Sequence, residues 1–478
     1  SSTGEPSNAD AEVSLTCSDP LRLRSMQIDK HDLVSYTKRI RKEFENMLQE
    51  LVEIPTVSAE PEHRDDILRA AGVAEGFLKS FGAKTEIVPT RGNPVVLGRF
   101  ETPEANRTVT VYNHLDVQPA NEPDWKRQPF HFEKRDDKYF GRGSTDDKGP
   151  ALTALFAARY AVEKGIPVNI RFLWETEEEI GSPHFEEFLI AKKNSLSTDS
   201  VVVIDSVWIA ANAPCIYYAL RGNITGSMIL ETAKHDVHSG ITGGVAANPI
   251  FELCKVAAQC YEPLSGKVLI KGFDDGIAEP DDAEWSHFLR SGFQLKKWAN
   301  SYGLKQIQVK TREEAIKRLW CLPTFEVHGM VGGYTGPGVK SAIPPRAELK
   351  FSCRLAPNQN PHKLSELFIE HVRKINPHIK VVFHALMSPY LSAVSGPYSR
   401  AAANAFRYGF SKRPIFARAG GSDGAILLMH RHLKAPINLM GLSLPEHGYH
   451  APNEYFDWNQ TQCGIRTFVK YFDEVAKI

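Results

Sequence analysis

Apolar residues Leu33, Tyr36, Ile40, Phe44, Leu48 and Leu51 recur at helical spacing from Asp32 until Ile54-Pro55 stops them. This pattern predicts a first helix with one buried face. A second helical run covers about 64–81, and the β-favouring pieces KTEIV (84–88) and PVVLGRF (94–100) follow. Val109 and Val111 then sit in a run that stops at Asn113, predicting a buried strand that delivers His114 and Asp116 to its carboxyl end. Pro150 opens a helix through Val162, and NIRFLWE (169–175) and SVVVIDS (200–206) read as further strands. Such a βαβα rhythm belongs to a sheet covered on both faces.

The pattern changes near Tyr218. Strand-like NITGSMILETA, a helix near Pro249 to Cys260, a long helix through Trp298, then TFEVHGM, AELKFSCRL, a helix near Leu364 and VVFHALM predict a separate α+β unit. From about Pro397 helices and a strand return, including APINLMGL and a final amphipathic helix ending near Val475. The expected fold class is therefore α/β: a catalytic domain with a mixed, mostly parallel sheet covered by helices, plus an inserted α+β lid and dimerisation domain. Its expected boundaries are 26–217 with 393–478 for the catalytic domain and 218–392 for the insert. Residues 1–25 are polar, and Met26 is a plausible native start, so the expectation there is a disordered tail or an expression remnant.

Composition narrows the classes. A chain of 478 residues, 42% hydrophobic and 24% charged, can bury large cores. Lys+Arg and Asp+Glu both number 57, so no overall field favours nucleic acid or an anionic membrane. No stretch reads as a membrane span, and the polar start lacks the basic-then-apolar order of a signal peptide. Seven scattered cysteines without CxxC pairs argue against a full disulfide framework. Together these features predict a cytoplasmic protein.

The candidate chemistry gathers at strand ends. In an α/β sheet, ligands bind beyond the strand carboxyl ends. Three consecutive strand ends offer His114 with Asp116, Glu178 with Glu179, and Asp205, while Asp146 and Asp147 sit on a glycine-bearing loop before a helix. Imidazoles with several carboxylates suit zinc, and enough carboxylates could hold two ions through a shared one. His447 and His450 in LPEHGYHAPNE are further imidazole candidates. GRGSTDDKG is not a phosphate loop, because it lacks Gly-Lys-Ser/Thr and places acids where phosphate would sit. Gly420 to Gly424 does satisfy G-x-S-x-G, which keeps a serine hydrolase using Ser422 with His450 as base as an alternative. That order needs an acid between the two, and only Asp423 and Glu446 lie there. A catalytically inactive binding module is the third class.

The ordered motifs NHLDVQPA, FGRGSTDDKGP, EEEIGS, VVIDSVW, DVHSG and YHAPNE resemble the dizinc aminoacylase/carboxypeptidase G/carnosinase metallopeptidase family over nearly all of 32–478. HLDVQPA, RGSTDDKGP, the stretch Trp320 to Gly329 and YHAPNEYF resemble most its carnosinase and Cys-Gly dipeptidase branch. The resemblance implies that His114, Asp205, Glu179 and His450 divide between two metals, that Asp146 bridges them, and that Glu178 is the general base. It implies zinc, with manganese or cobalt also compatible with such ligands. Asp116 would orient the His114 ring, His447 would not be a ligand, and the Asp146-Asp147 peptide would be cis. Arg354, Ser341 and Ser422 would bind the free carboxylate of a dipeptide or N-acylamino acid. His238 would reach a neighbouring subunit's metal centre and stabilise the oxyanion, which requires a homodimer through the insert. Asn113 before His114, IDS around Asp205 and SDGAI after the glycine pair depart from the branch pattern without touching a proposed ligand.

Overall fold

The computed structural model describes residues 28–478, and the expectation for 1–25 lies outside them. The first helix, Lys30–Val52, opens on Asp29, whose carboxylate accepts from the N–H groups of His31 and Asp32, and it buries all six of the apolar positions named above. With Arg64–Ser80, Gly149–Glu163 and Trp458–Val475 it covers one face of a nine-stranded sheet, and Phe185–Ala191 and Gly424–Leu433 lie on the other.

That sheet runs in the order Lys84–Val88, Val95–Phe100, Asn169–Glu175, Thr108–His114, Ser200–Val203, Ile437–Leu439, Cys215–Leu220, with Tyr390–Leu391 and Ile415–Arg418 both on the last of these. The four central strands, Asn169–Glu175 through Ile437–Leu439, are mutually parallel, while the first two pair antiparallel at one edge. Covered on both faces, the central strands are buried along almost their whole length rather than at alternate positions. Their shared direction brings the ends of three of them, and hence the acids beyond, to one edge of the sheet.

A second, four-stranded antiparallel sheet is built from Thr324–Val331, Arg346–Leu355, Gly222–Glu231 and Lys380–Met387 in that order. Helices Pro249–Cys260 and Pro361–Ile375 pack on one face of it around Phe325, Phe351 and Phe368. Two details differ from the sequence reading. The expected long helix through Trp298 is two short ones, Asp282–Leu289 and Leu295–Ser301, because Gly292 adopts φ 76° between them. These helices, with Trp320, join the aromatic cluster on the large sheet rather than the core of the small one. The positions 217/218 and 392/393 fall within the strand Cys215–Leu220 and just after Tyr390–Leu391, both strands of the large sheet. No helix of the described residues is long and apolar enough to cross a membrane.

Candidate metal centre

His114 ends the central strand, fully buried, and its Nδ1–H donates to the backbone carbonyl of Asp116 at 2.9 Å. That bond turns Nε2 toward the acids, 2.9 Å from Asp146 Oδ1 and 3.4 Å from Asp205 Oδ2. His450 approaches from the C-terminal loop, with Nε2 2.9 Å from Asp146 Oδ2 and 3.3 Å from Glu179 Oε2. Asp146 thus presents one oxygen to each imidazole. Two trios result, His114 with Asp146 and Asp205, and His450 with Asp146 and Glu179, sharing one carboxylate.

The third residue of the HLD triplet does more than orient a ring. The Asp116 carboxylate lies 3.5 Å from His114 Nδ1, but it accepts the N–H groups of Glu178 and Glu179 at 3.2 and 3.0 Å and the Ser58 hydroxyl at 2.6 Å. It therefore holds the turn on which both glutamates stand, while the main-chain carbonyl of the same residue accepts from the His114 ring. The Asp146-Asp147 peptide is cis.

The electrostatics suit cations. Burial lowers the proton affinity of His450, yet the carboxylates of Asp146 and Glu179 outweigh it and hold the imidazole up at about 11. His114 is raised for the same reason, chiefly by Asp205 against its burial. Burial, then Asp423 and other nearby carboxylates, pushes Glu178 well above the ordinary range. Oδ1 of Asp147 and Oε1 of Glu179 are buried without a hydrogen-bond donor. Three groups of carboxylates and imidazoles gather closely enough to share a cation: His114 with Asp146 and Glu179, His114 with Asp147 and Asp205, and Glu178 with Asp205 and Asp423. Oxygen and imidazole donors in excess of the protons that could satisfy them fit divalent ions such as zinc.

Beside this cluster opens a cleft of about 460 Å³ lined by Glu178, Asp205, Arg354, Ser422, Asp423 and His450, among others. Arg354 reaches it from the small sheet and donates from Nη1 to Ser422 Oγ at 2.8 Å. Ser422 in turn donates to the Arg221 carbonyl at 2.5 Å, and His450 Nε2 faces the acids. The serine and histidine of the G-x-S-x-G alternative are therefore not paired. Behind Arg354, the buried guanidinium of Arg221 spends its hydrogen bonds on backbone carbonyls, and burial and Arg354 push it down to about 10. Arg354, a cation on the cleft wall without a carboxylate partner, gives this end of the cleft the charge to attract an anion. A larger cleft of about 1110 Å³ lies between the Ala385–Ser388 segment and the helix Gly424–Leu433, and none of the clustered carboxylates lines it.

Residues 110–474 match the model of peptidase family M20/M25/M40. The chain belongs to that family. It is 31% identical over 468 residues to the Cys-Gly metallodipeptidase DUG1 of Candida albicans, covering 92% of this chain and 96% of that one. It is 30% identical over 461 residues to the Beta-Ala-His dipeptidase of Homo sapiens, covering 91% and 90%. Among solved structures, human carnosine dipeptidase 1 superposes with a TM-score of 0.84 at 28% identity, over 94% of this chain and 99% of the other. This M20 chain is thus a metallopeptidase with the catalytic-plus-lid architecture of its family.

Two of the expected site residues stand apart from the cluster in the single chain. The short strands Val237–His238 and Ala342–Ile343 pair, placing His238 opposite Ala342 and next to Ser341. Both are exposed, and His238 Nδ1 accepts from its own turn, from Gly240 N–H at 3.0 Å. His447 is buried for another purpose. Its Nδ1 accepts from Leu444 N–H, so Nε2 carries the proton and donates to Asp457 at 2.9 Å. Sequence reasoning weighed Asp423 only as an acid of the serine alternative and assigned no role to Tyr449, Gln118 or Glu454. Tyr449 donates to Asp205, Gln118 to Glu179 at 2.6 Å, and Asp423 caps the following helix beside Glu178. The only signal for Tyr449 and Glu454 was their place inside the YHAPNE motif.

Proposed function

We propose that this chain hydrolyses the amide bond of dipeptides or of related N-acylamino acids, with two divalent ions, zinc first among candidates. The observation that carries the reading is Asp146, whose two oxygens each face an imidazole at 2.9 Å beside Glu178 and Glu179. When bound, such ions lower the pKa of a water and polarise the scissile carbonyl. His114, Asp146 and Asp205 would hold one, and His450, Asp146 and Glu179 the other.

Glu178 takes the water's proton and passes it to the leaving amine; its raised proton affinity suits a group that must both accept and return a proton. Asp116 keeps Glu178 in place through its backbone. Arg354 and Ser422 hold the substrate's free carboxylate at the anion end of the cleft. His238, with Ser341 beside it, comes from the second subunit of a homodimer and donates to the oxyanion. Exposed apolar side chains flank this pair in sequence: Ile241, Val245, Phe251 and Val339, with Val245 92% and Val339 94% exposed. Side chains so exposed favour a partner surface. The six free cysteines among the described residues support a reducing, cytoplasmic setting.

The relatives split between Cys-Gly and Beta-Ala-His dipeptidases, so free dipeptides are the first substrates to try. Exhaustive chelation should abolish turnover and re-addition of zinc or manganese should restore it, with about two ions per chain by elemental analysis. Activity that survives chelation and disappears in Ser422→Ala would replace the metal reading with the serine one.

A further inference from the structure

The Glu454 carboxylate is fully buried, and its two oxygens are used completely by one loop. Oε1 accepts from the N–H groups of Thr145 and Asp146 at 2.9 and 3.1 Å. Oε2 accepts from Gly143 N–H and from Arg142 Nη1, both at 3.0 Å. The Glu454 carbonyl accepts from Gly141 N–H at 3.0 Å as well. Five donors from 141–146 therefore converge on one residue four positions beyond His450. Arg142, 1% exposed, also reaches the carbonyls of Pro119 and Ala451 at 3.2 and 3.4 Å, which ties in the loop after His114 and Asp116.

Packing alone does not call for this arrangement. A buried ion pair often stabilises no better than apolar residues of similar volume, so its presence points to a geometric task. The task is visible on both sides of the carboxylate. On one side Asp146 is presented with its two oxygens toward two imidazoles. On the other, His450 holds a left-handed backbone angle, φ 56°, a conformation uncommon for a side chain other than Gly, Asn or Asp. Glu454 is the tether that fixes the one loop against the other.

We propose that Glu454 is a positioning residue that sets the spacing between Asp146 and His450, and so preorganises both cation positions at once. The inference rests on the metal reading above. Glu454 touches neither substrate nor ion; it acts through the backbone of 143–146 and through the turn that carries His450. Its loss should weaken both ions together rather than one of them.

The discriminating substitution is Glu454→Gln, which is close in size but puts an NH2 group where one oxygen faced two donors. Calorimetric titration of the metal-free protein with Zn2+ or Mn2+ is the readout. Wild type is expected to take up two ions, and Glu454→Gln to bind both with Kd raised about 10- to 100-fold, as for other partners that orient ligands. Circular dichroism should be unchanged, and kcat should recover as metal is raised while KM stays near its wild-type value. Arg142→Lys keeps the carboxylate and its backbone bonds but loosens its second anchor; it should show a smaller loss of the same kind, and it decides the matter if Glu454→Gln does not fold. Unchanged affinity in the folded variant, or a lower melting temperature with wild-type affinity, overturns the role of Glu454. Absence of uptake by wild type would instead overturn the metal reading itself.

Discussion

His114, His447 and His450 are one residue type with three fates, decided by what the second ring nitrogen meets. A backbone carbonyl takes the Nδ1 proton of His114 and frees Nε2, an amide N–H occupies Nδ1 of His447 and forces Nε2 to donate to Asp457, and His450 turns Nε2 to two carboxylates. The adjacent glutamates divide in the same way: Glu179 Oε2 lies 3.3 Å from His450, whereas Glu178 clusters with Asp205 and Asp423 on the cleft side. Glu178→Gln should therefore cut kcat by several orders of magnitude while elemental analysis still finds wild-type metal, since only the proton carrier is removed. Loss of metal in Glu178→Gln with retention in Glu179→Gln would exchange their roles.

Parallel strands deliver function at their ends, and the same ends store cost. Glu175 closes the strand Asn169–Glu175 opposite His114, 2% exposed, with Tyr112 donating to Oε2 at 2.7 Å and Oε1 without a donor. Burial raises its carboxyl to about 8, Tyr112 opposing and Asp116 adding to the shift. A carboxyl raised above its unfolded value destabilises the fold only where the unfolded chain would ionise it: the cost is absent below about pH 4, grows as pH rises through the window to about 8, and is then constant. Its full size is on the order of a few kcal/mol. Glu175→Gln, which cannot ionise, should melt at the wild-type temperature near pH 4 and increasingly above it between pH 5 and 8. A pH-independent difference in melting temperature would show that Glu175 is not the titrating group.

At the scale of the molecule, the site is assembled from parts that no single element owns. Arg354 comes from the small sheet, Ser422 and Asp423 from the loop before a helix of the large one, and Trp298 and Trp320 wall the same cleft from helices that pack on the large sheet. His238 and Ser341 do not line that cleft in one chain, so the proposed oxyanion role of His238 requires a second copy. Mixing inactive Glu178→Gln with inactive His238→Ala should then restore part of the activity, because some mixed dimers join an intact base to an intact histidine. No recovery despite demonstrated subunit exchange would place His238 within its own chain's chemistry or outside it.

Periodicity alone determined the helices Lys30–Val52 and Pro249–Cys260, the strand Thr108–His114 and the change of architecture near Tyr218, because burial of one face or of both is written locally in the residue order. The gathering of acids at successive strand ends was also legible, since parallel strands must finish on one edge, and the ordered motifs carried the family. Other features depended on contacts remote in sequence. Arg354 meets Ser422 across 68 positions and Glu454 grips the Asp146 amide across 308, and nothing local to either residue signals its partner. Gly292 broke an expected helix because a left-handed angle there competes with apolar spacing that reads as continuous. The use of the Asp116 carboxylate as a clamp on the Glu178–Glu179 turn, beside its carbonyl's bond to the His114 ring, likewise emerged only when two strand ends were brought within hydrogen-bond reach, where geometry and not residue type selects the acceptor.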